Sequence, residues 1–256
     1  MAERLLYIMG TGRSGSTALQ ILLSQAEGAF GAGELSFLAE DLYLRPKTCS
    51  CGDPHCSIWS GVRDRLGWTV PVARDVATVH RQIDGHRAVW SGRRDLSVYG
   101  VCNRQVLRAL RETTGARVII DGSKYAARAL ALQQVLPIRV ICLTRSFRGL
   151  RRAWSRRVDP VEQPPKSLAS LLAYWGYVHP ALAHASRQLG EVMPVTYEAL
   201  AADPAGVLAK IGDFAELDLG PVIDGVRRQA SVPVGHLLRG NRLRRAGWFR
   251  WAPTLP

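Results

Sequence analysis

The segment Gly10-Thr11-Gly12-Arg13-Ser14-Gly15-Ser16-Thr17 lies between two apolar runs, residues 5–9 and 18–23. The order reads as strand, glycine-rich turn and helix. That arrangement aims backbone N–H groups and a helix N-terminus at one point, which makes an anion site. The spacing nearly meets the nucleotide P-loop pattern, G-x4-G-K-[ST]. Ser16 stands where the lysine belongs, and the cation is Arg13, three residues earlier. A phosphate cradle of this kind argues against ATP or GTP hydrolysis and leaves open a different phosphorylated donor. The same glycines fit G-x-G-x-x-G, the dinucleotide fingerprint, with Glu34 at the distance of a ribose-binding carboxylate. Phe30-Gly31-Ala32-Gly33 is, however, a poor long strand to carry that carboxylate.

Other elements must hold this loop. Four apolar, β-rich runs, residues 5–9, 117–121, 139–144 and 192–197, read as buried parallel strands. Helical periodicity follows: Leu19, Leu22, Leu23 and Ala26 share one face, residues 126–136 form a helix stopped by Pro137, and residues 147–157 form a basic one. Alternating strands and helices predict a three-layer α/β/α sandwich with a mainly parallel central sheet, like the P-loop nucleotide hydrolases. The 256 residues suffice for one domain, spanning 1–256. Residues 46–100, rich in Trp, Gly, Pro and Arg, break the rhythm and read as an insertion over the sheet's C-terminal edge, where α/β ligands bind. A further helix is expected over 168–189, its aromatics Tyr174, Trp175 and Tyr177 read first as core packing. The tail Trp248-Phe249-Arg250-Trp251 reads equally as packed back or as an interaction patch.

Composition narrows the partners. The net charge is +13, from 34 basic and 21 acidic residues. The lysines are only Lys47, Lys124, Lys166 and Lys210, an arginine bias that fits a GC-rich coding genome and, in part, an anionic ligand. The arginines are spread along the chain without a recognition motif, against a nucleic-acid partner. No apolar run approaches the roughly 18 residues of a membrane span. A strand starting within five residues leaves no room for a signal peptide, so the expected location is the cytoplasm. The five cysteines include Cys49-x-Cys51-x3-His55-Cys56. Those ligands are crowded, with no distant second pair, so a local loop or redox-labile pair is preferred to a zinc site.

Arg13-Ser14-Gly15-Ser16-Thr17 resembles the 5'-phosphosulfate loop of sulfotransferases that use 3'-phosphoadenosine 5'-phosphosulfate (PAPS). Four later segments resemble the same family, in its order. Cys49-x-Cys51-Gly52 with Cys56 and Trp59 is similar to a C-x-C-G…C-x-x-W segment of many bacterial members. Thr144-Arg145 with Arg148-Gly149 and Ala153-Trp154 resembles the strand-to-helix segment that binds the 3'-phosphate. Tyr197-Glu198-x-Leu200-x-x-Asp203-Pro204 is similar to its Y-E-x-L-x-x-D-P stretch, and His236-x3-Gly240-Asn241-x-x-Arg244 to its C-terminal loop.

The resemblance implies sulfuryl transfer from PAPS to an acceptor hydroxyl of a glycolipid, carbohydrate or natural product, releasing PAP (3'-phosphoadenosine 5'-phosphate), with no metal. It implies Glu34 as general base. Lys124 and Arg13 would be the cations on the transferring group and leaving phosphate. The donor would be held by Gly12, Arg13, Ser14, Gly15, Ser16, Thr17, Arg145, Arg148, Tyr197, Arg239, Gly240, Asn241 and Arg244. One position departs: Ala153 replaces the family's usual serine, and Ser155 falls about 200° round the helix. Arg148, Arg151 and Arg152 are the neighbouring cations that could compensate. The acceptor is expected between the 46–100 insertion and the 168–189 helix. The alternatives are a P-loop small-molecule kinase and a non-catalytic nucleotide-binding protein. A homo-oligomer is compatible, since some relatives dimerise.

Overall fold

In strand β1 (Arg4–Gly10), Leu5, Tyr7 and Met9 join one apolar core, while Leu6 and Ile8 join another. That two-residue alternation is what a strand buried on both faces requires. The structure, a computed structural model, describes residues 4–92, 95–155 and 166–253. After β1 come α1 (Ser16–Leu23), β2 (Ala29–Gly31), α2 (Ser57–Leu66), α3 (Val70–Ile83) and α4 (Ser97–Thr114). Next are β3 (Val118–Lys124), α5 (Ala126–Val135), β4 (Ile138–Thr144), α6 (Phe147–Ser155), α7 (Leu168–Gln188) and β5 (Val192–Thr196). The chain closes with α8 (Tyr197–Ala202), α9 (Pro204–Ala215), α10 (Gly220–Arg227), β6 (Ser231–Pro233) and β7 (Trp248–Arg250).

The main sheet runs β2-β3-β1-β4-β5, with every neighbouring pair parallel. One face carries α2, α3, α4, α5 and α7, through residues such as Val62, Val76, Leu107, Leu132 and Leu182. The other carries α1 and α9, through Leu19, Ile21 and Leu208. This is the expected three-layer α/β/α sandwich. Two details differ from the sequence reading. Phe30 and Gly31 do form a strand, but a three-residue one, paired with β3 at the sheet's edge. Residues 46–100 do more than overhang an edge: Trp59, Val62, Ala73 and Val76 belong to the main core. Of the basic helix read over 147–157, Arg156 and Arg157 lie outside the described residues.

The core also encloses charge. Arg128 on α5 is 1% exposed. It donates from Nε to Asp121 (2.9 Å), from one terminal nitrogen to Asp84 (3.0 Å) and the Tyr99 hydroxyl (3.1 Å), and from the other to Asn103 (3.1 Å). His80 lies between the Ser36 carbonyl (3.3 Å) and the Asn103 amide (3.4 Å), partners that suit a neutral ring.

Two outcomes follow from this interior. Arg128→Met would leave Asp84 and Asp121 buried without their cation, so urea unfolding should show a loss of about 3–5 kcal/mol. Burial first, then Arg128, lowers the His80 pKa to about 3, and burial with Lys124 lowers that of His86 to about 4. Below the unfolded-state value of about 6.5 only the unfolded chain takes these protons, so stability is full above that pH and falls as pH drops. The slope contributed is at most about 1.4 kcal/mol per pH unit for each histidine. Urea midpoints across pH 4–7 should show that decline, and His80→Gln should make it shallower.

Candidate active site

β1 delivers the glycine loop to the sheet's C-terminal edge. A Cβ at Gly10 would strike the Leu143 carbonyl of β4, and one at Gly15 would strike the Tyr197 ring. Gly15 has φ +95° and precedes α1 without a side-chain cap, so the helix N-terminus stays open towards the loop. Arg13 is also left-handed, at φ +66°, although it has a Cβ. Such strain concentrates at functional sites. The Oγ1 of Thr11, the Oγ of Ser14 and the Nε of Arg13 are buried without a hydrogen-bond partner among the described residues. The Gly12 N–H donates to the Tyr174 hydroxyl of α7 (2.7 Å). Arg145, at the end of β4, donates to the Arg13 carbonyl (3.1 Å) and lies 3.9 Å over the Tyr197 ring. Arg13 lies 5.1 Å over Trp154. Burial and the charge of Arg242 both lower its pKa from the usual guanidinium value.

Opposite the loop, Glu34 and Lys124 form an ion pair, their side chains 16% and 18% exposed. Each is aimed by local backbone. The β1–β3 register slips between Tyr7 and Met9, a bulge that ends with Lys124 at φ +74°. Glu34 follows β2, where the Gly33 carbonyl accepts from Gly122 N–H (2.7 Å) and from Gln20 Nε2 (3.3 Å). Asp121, wholly buried, joins the two segments. Its Oδ1 accepts from Leu35 N–H (3.2 Å), Ser123 N–H (2.9 Å) and the Ser123 hydroxyl, and its Oδ2 from Arg128. Both carboxylate oxygens thus accept from neighbouring segments.

Two adjoining cavities open on these groups. One, of about 240 Å³, is lined by Gly12, Arg13, Gly15, Ser16, Thr17, Glu34, Lys124, Trp154, Lys166, Gly240 and Asn241. It gathers the predicted base, the predicted lysine and most of the loop. The other, of about 300 Å³, shares Arg13, Gly15 and Asn241 and adds Arg145, Arg152, Ala153, Tyr197, Arg242, Trp248, Arg250 and Trp251. Among the described residues, five arginines and no carboxylate line it.

Not every predicted residue reaches these cavities. Ser14 is buried and lines neither cavity. Arg148 is exposed and lines neither cavity. The Arg239 fork is taken by buried Asp41 (2.7 and 2.8 Å), and Arg244 donates to the Thr48 carbonyl (3.2 Å). Ser155 donates to the Arg152 carbonyl instead of turning inward (3.1 Å). Ala153 lines the larger cavity beside Arg152, the one of the three neighbouring arginines that does so. Sequence reading did not place Arg242 or Lys166 at the site, and it left the 248–251 tail between packing back and an interaction patch. The tail does pack back, through the β6–β7 pairing, and forms the far wall. Its signal was the Trp-Phe-Arg-Trp run, which lacks a periodicity that fixes where it folds. Tyr174, read first as core packing, does pack against the main core and also reaches the loop through its hydroxyl.

Residues 6–221 match the model of a sulfotransferase family. No curated protein sequence matches the chain. Among solved structures, the chain is similar to the sulfotransferase domain of an olefin synthase from Synechococcus PCC 7002. That likeness has 20% identity and a TM-score of 0.51, over 87% of this chain and 76% of that one. It is also similar to a sulfotransferase from Mycobacterium avium, with 16% identity and a TM-score of 0.53, over 88% of this chain and 67% of that one. A third likeness is to a sulfotransferase from Mycobacterium tuberculosis H37Rv, with 15% identity and a TM-score of 0.51, over 88% and 71%. At these identities the likenesses are of fold. The family match spans the glycine loop, Glu34, Lys124 and Arg145 together, and on it this chain belongs to the sulfotransferase family.

Proposed function

We propose that this sulfotransferase moves a sulfuryl group from PAPS to an acceptor hydroxyl and releases PAP. The observation that carries the donor assignment is the charge of the larger cavity: among the described residues it is lined by five arginines and no carboxylate, and it joins the glycine loop at Arg13. PAPS presents a 5'-phosphosulfate and a separate 3'-phosphate, so it needs two cationic anion sites in one cleft. The glycine loop, with Arg13, Ser16 and Thr17, suits the first. Arg145 and Arg152 suit the second, and Arg152 supplies charge where Ala153 lacks a hydroxyl. Trp248 and Trp251 offer aromatic surface suited to a purine. The partnerless Nε of Arg13, buried beside the loop, fits an anionic occupant.

PAPS brings an activated sulfuryl group to the loop; the chain supplies proton acceptance and charge. Glu34 takes the acceptor's proton as its oxygen bonds to sulfur. Lys124 stands beside Glu34 and balances charge that builds on the leaving phosphate oxygen, as does Arg13. Nothing in this scheme asks a metal of the reaction. The acceptor side lies where segments 46–100 and 168–189 meet, at His86 and Tyr177 (ring centroids 6.4 Å) and at Arg87 over Tyr177 (5.2 Å). Sugars, glycolipids and natural-product alcohols are the acceptor classes considered, and the cytoplasm is the compartment. Among the described residues no helix is long and apolar enough to cross a membrane.

Calorimetric titration with PAP, beside ATP and NAD, tests the donor. PAP alone should bind; ATP or NAD binding in its place overturns the assignment. Arg145→Ala should weaken PAP binding by about 10- to 100-fold, the worth of a charge-assisted contact. Unchanged affinity removes Arg145 from the site. Glu34→Gln should bind PAP as the parent does, yet lower PAP release from PAPS with a panel of hydroxyl acceptors by about 10²- to 10⁴-fold. Full turnover would remove Glu34 from the reaction.

A further inference from the structure

Away from the cleft, four side chains converge that the reaction does not use. They are Cys49, Cys51 and Cys56 from the loop before α2, and His236 from the loop after β6. Their sulfur and nitrogen atoms all lie within 4.8 Å of one another. His236 Nδ1 is 3.2 Å from the Cys56 sulfur and 3.8 Å from that of Cys49. A tetrahedral zinc with bonds of about 2.3 Å to sulfur and 2.0–2.1 Å to nitrogen places sulfurs about 3.8 Å apart and sulfur about 3.5 Å from nitrogen. The two sulfur–nitrogen distances bracket the expected value, and every other pair lies within 4.8 Å. All three thiols are free, and an odd set of three cannot be consumed by disulfides within it.

We propose that Cys49, Cys51, Cys56 and His236 form a structural zinc site. Three thiolates and one imidazole complete a closed tetrahedral set with no position left for water, which is the pattern of structural rather than catalytic zinc. Soft thiolates disfavour magnesium and calcium. The surrounding backbone is built for the geometry. Gly52 takes φ +83° and turns the chain between Cys51 and Cys56, with its N–H on the Cys49 carbonyl (3.0 Å). Ser50 ties the two loops together, donating to the Leu237 carbonyl (2.9 Å) and the Gly235 carbonyl (2.6 Å) and accepting from Leu237 N–H (2.7 Å). Trp59 donates to the His236 carbonyl (3.0 Å), which orients that ligand's backbone. His55, the histidine adjacent in sequence, is exposed and outside the set.

The metal would staple two loops whose ligands lie 180 residues apart, Cys56 and His236. A few residues beyond His236, Gly240 and Asn241 line the smaller cavity, so the staple fixes one wall of the cleft. It is independent of which donor the cleft takes.

Metal analysis of the full chain, purified without chelator, tests the site. About one zinc per chain is expected, with cobalt substitution giving thiolate-to-metal charge transfer and tetrahedral bands. Cys56→Ser and His236→Ala should lose the metal, whereas Cys102→Ser, a buried thiol elsewhere in the core, should keep it. Chelation should lower Tm and added zinc restore it. Three results overturn the proposal. The reduced protein could carry no zinc and take none from an equimolar solution. Iron could be found in place of zinc. His236→Ala could retain zinc with an unaltered cobalt spectrum.

Discussion

The pairing of Arg128 with Asp121 inside the sandwich is the constraint on which the cleft depends. Both side chains are essentially inaccessible, at 1% and 0%. A buried charge is held only by a partner and a full set of hydrogen bonds. Arg128 meets that condition with Asp121, Asp84, Tyr99 and Asn103. Asp121 meets it by accepting from the backbone of Leu35 and Ser123. Those last contacts lie one residue from Glu34 and from Lys124. The same carboxylate therefore anchors both segments that form the ion pair facing the glycine loop. Hydrophobic replacements could fill the volume but could not direct two separate backbones to one point.

In the larger cavity, packing of distant segments gathers like charge. Arg13, Arg145, Arg152, Arg242 and Arg250 come from four different stretches of chain to line one cavity. Aromatic side chains form part of the same walls, and an anion bound there would offset the gathered positive charge. Arg145 over Tyr197 and Arg13 over Trp154 hold two of the guanidinium groups against rings, which limits their rotamers. The loop's strained Arg13 and the bulged Lys124, both lining the smaller cavity, are non-glycine residues at positive φ. The packed sheet beneath supplies the rigidity that keeps them there.

The C-terminal segment closes the cleft from outside the main sheet. It is tied down by Ser50, Trp59 and the cysteine loop on one side and by Arg239 on Asp41 on the other. Arg239 is thus a positioning group for this wall: its bidentate contact to a carboxylate 2% exposed fixes the backbone that leads to Gly240 and Asn241.

What the sequence alone determined is what local rules govern. Apolar runs marked four of the five sheet strands, and the glycine spacing marked the loop, because strand alternation and backbone freedom are properties of neighbouring residues. Glu34 and Lys124 were singled out by resemblance; the fold puts Lys124 at the end of β3 and Glu34 shortly after β2, and pairs them. The tertiary structure decided the rest. β2 is a strand only because β3 pairs with it; three residues carry no pattern of their own. Arg128 sits among alanines of an ordinary helix, and nothing local announces that Asp84, Tyr99 and Asn103 will surround it. The sequence offered His55 to the cysteines, but folding brings His236. It placed Arg148, Arg239 and Arg244 with the donor, while the fold exposes the first and ties the others to Asp41 and Thr48. A guanidinium's partner is chosen by which loops meet in space, and that is set by packing across the whole chain.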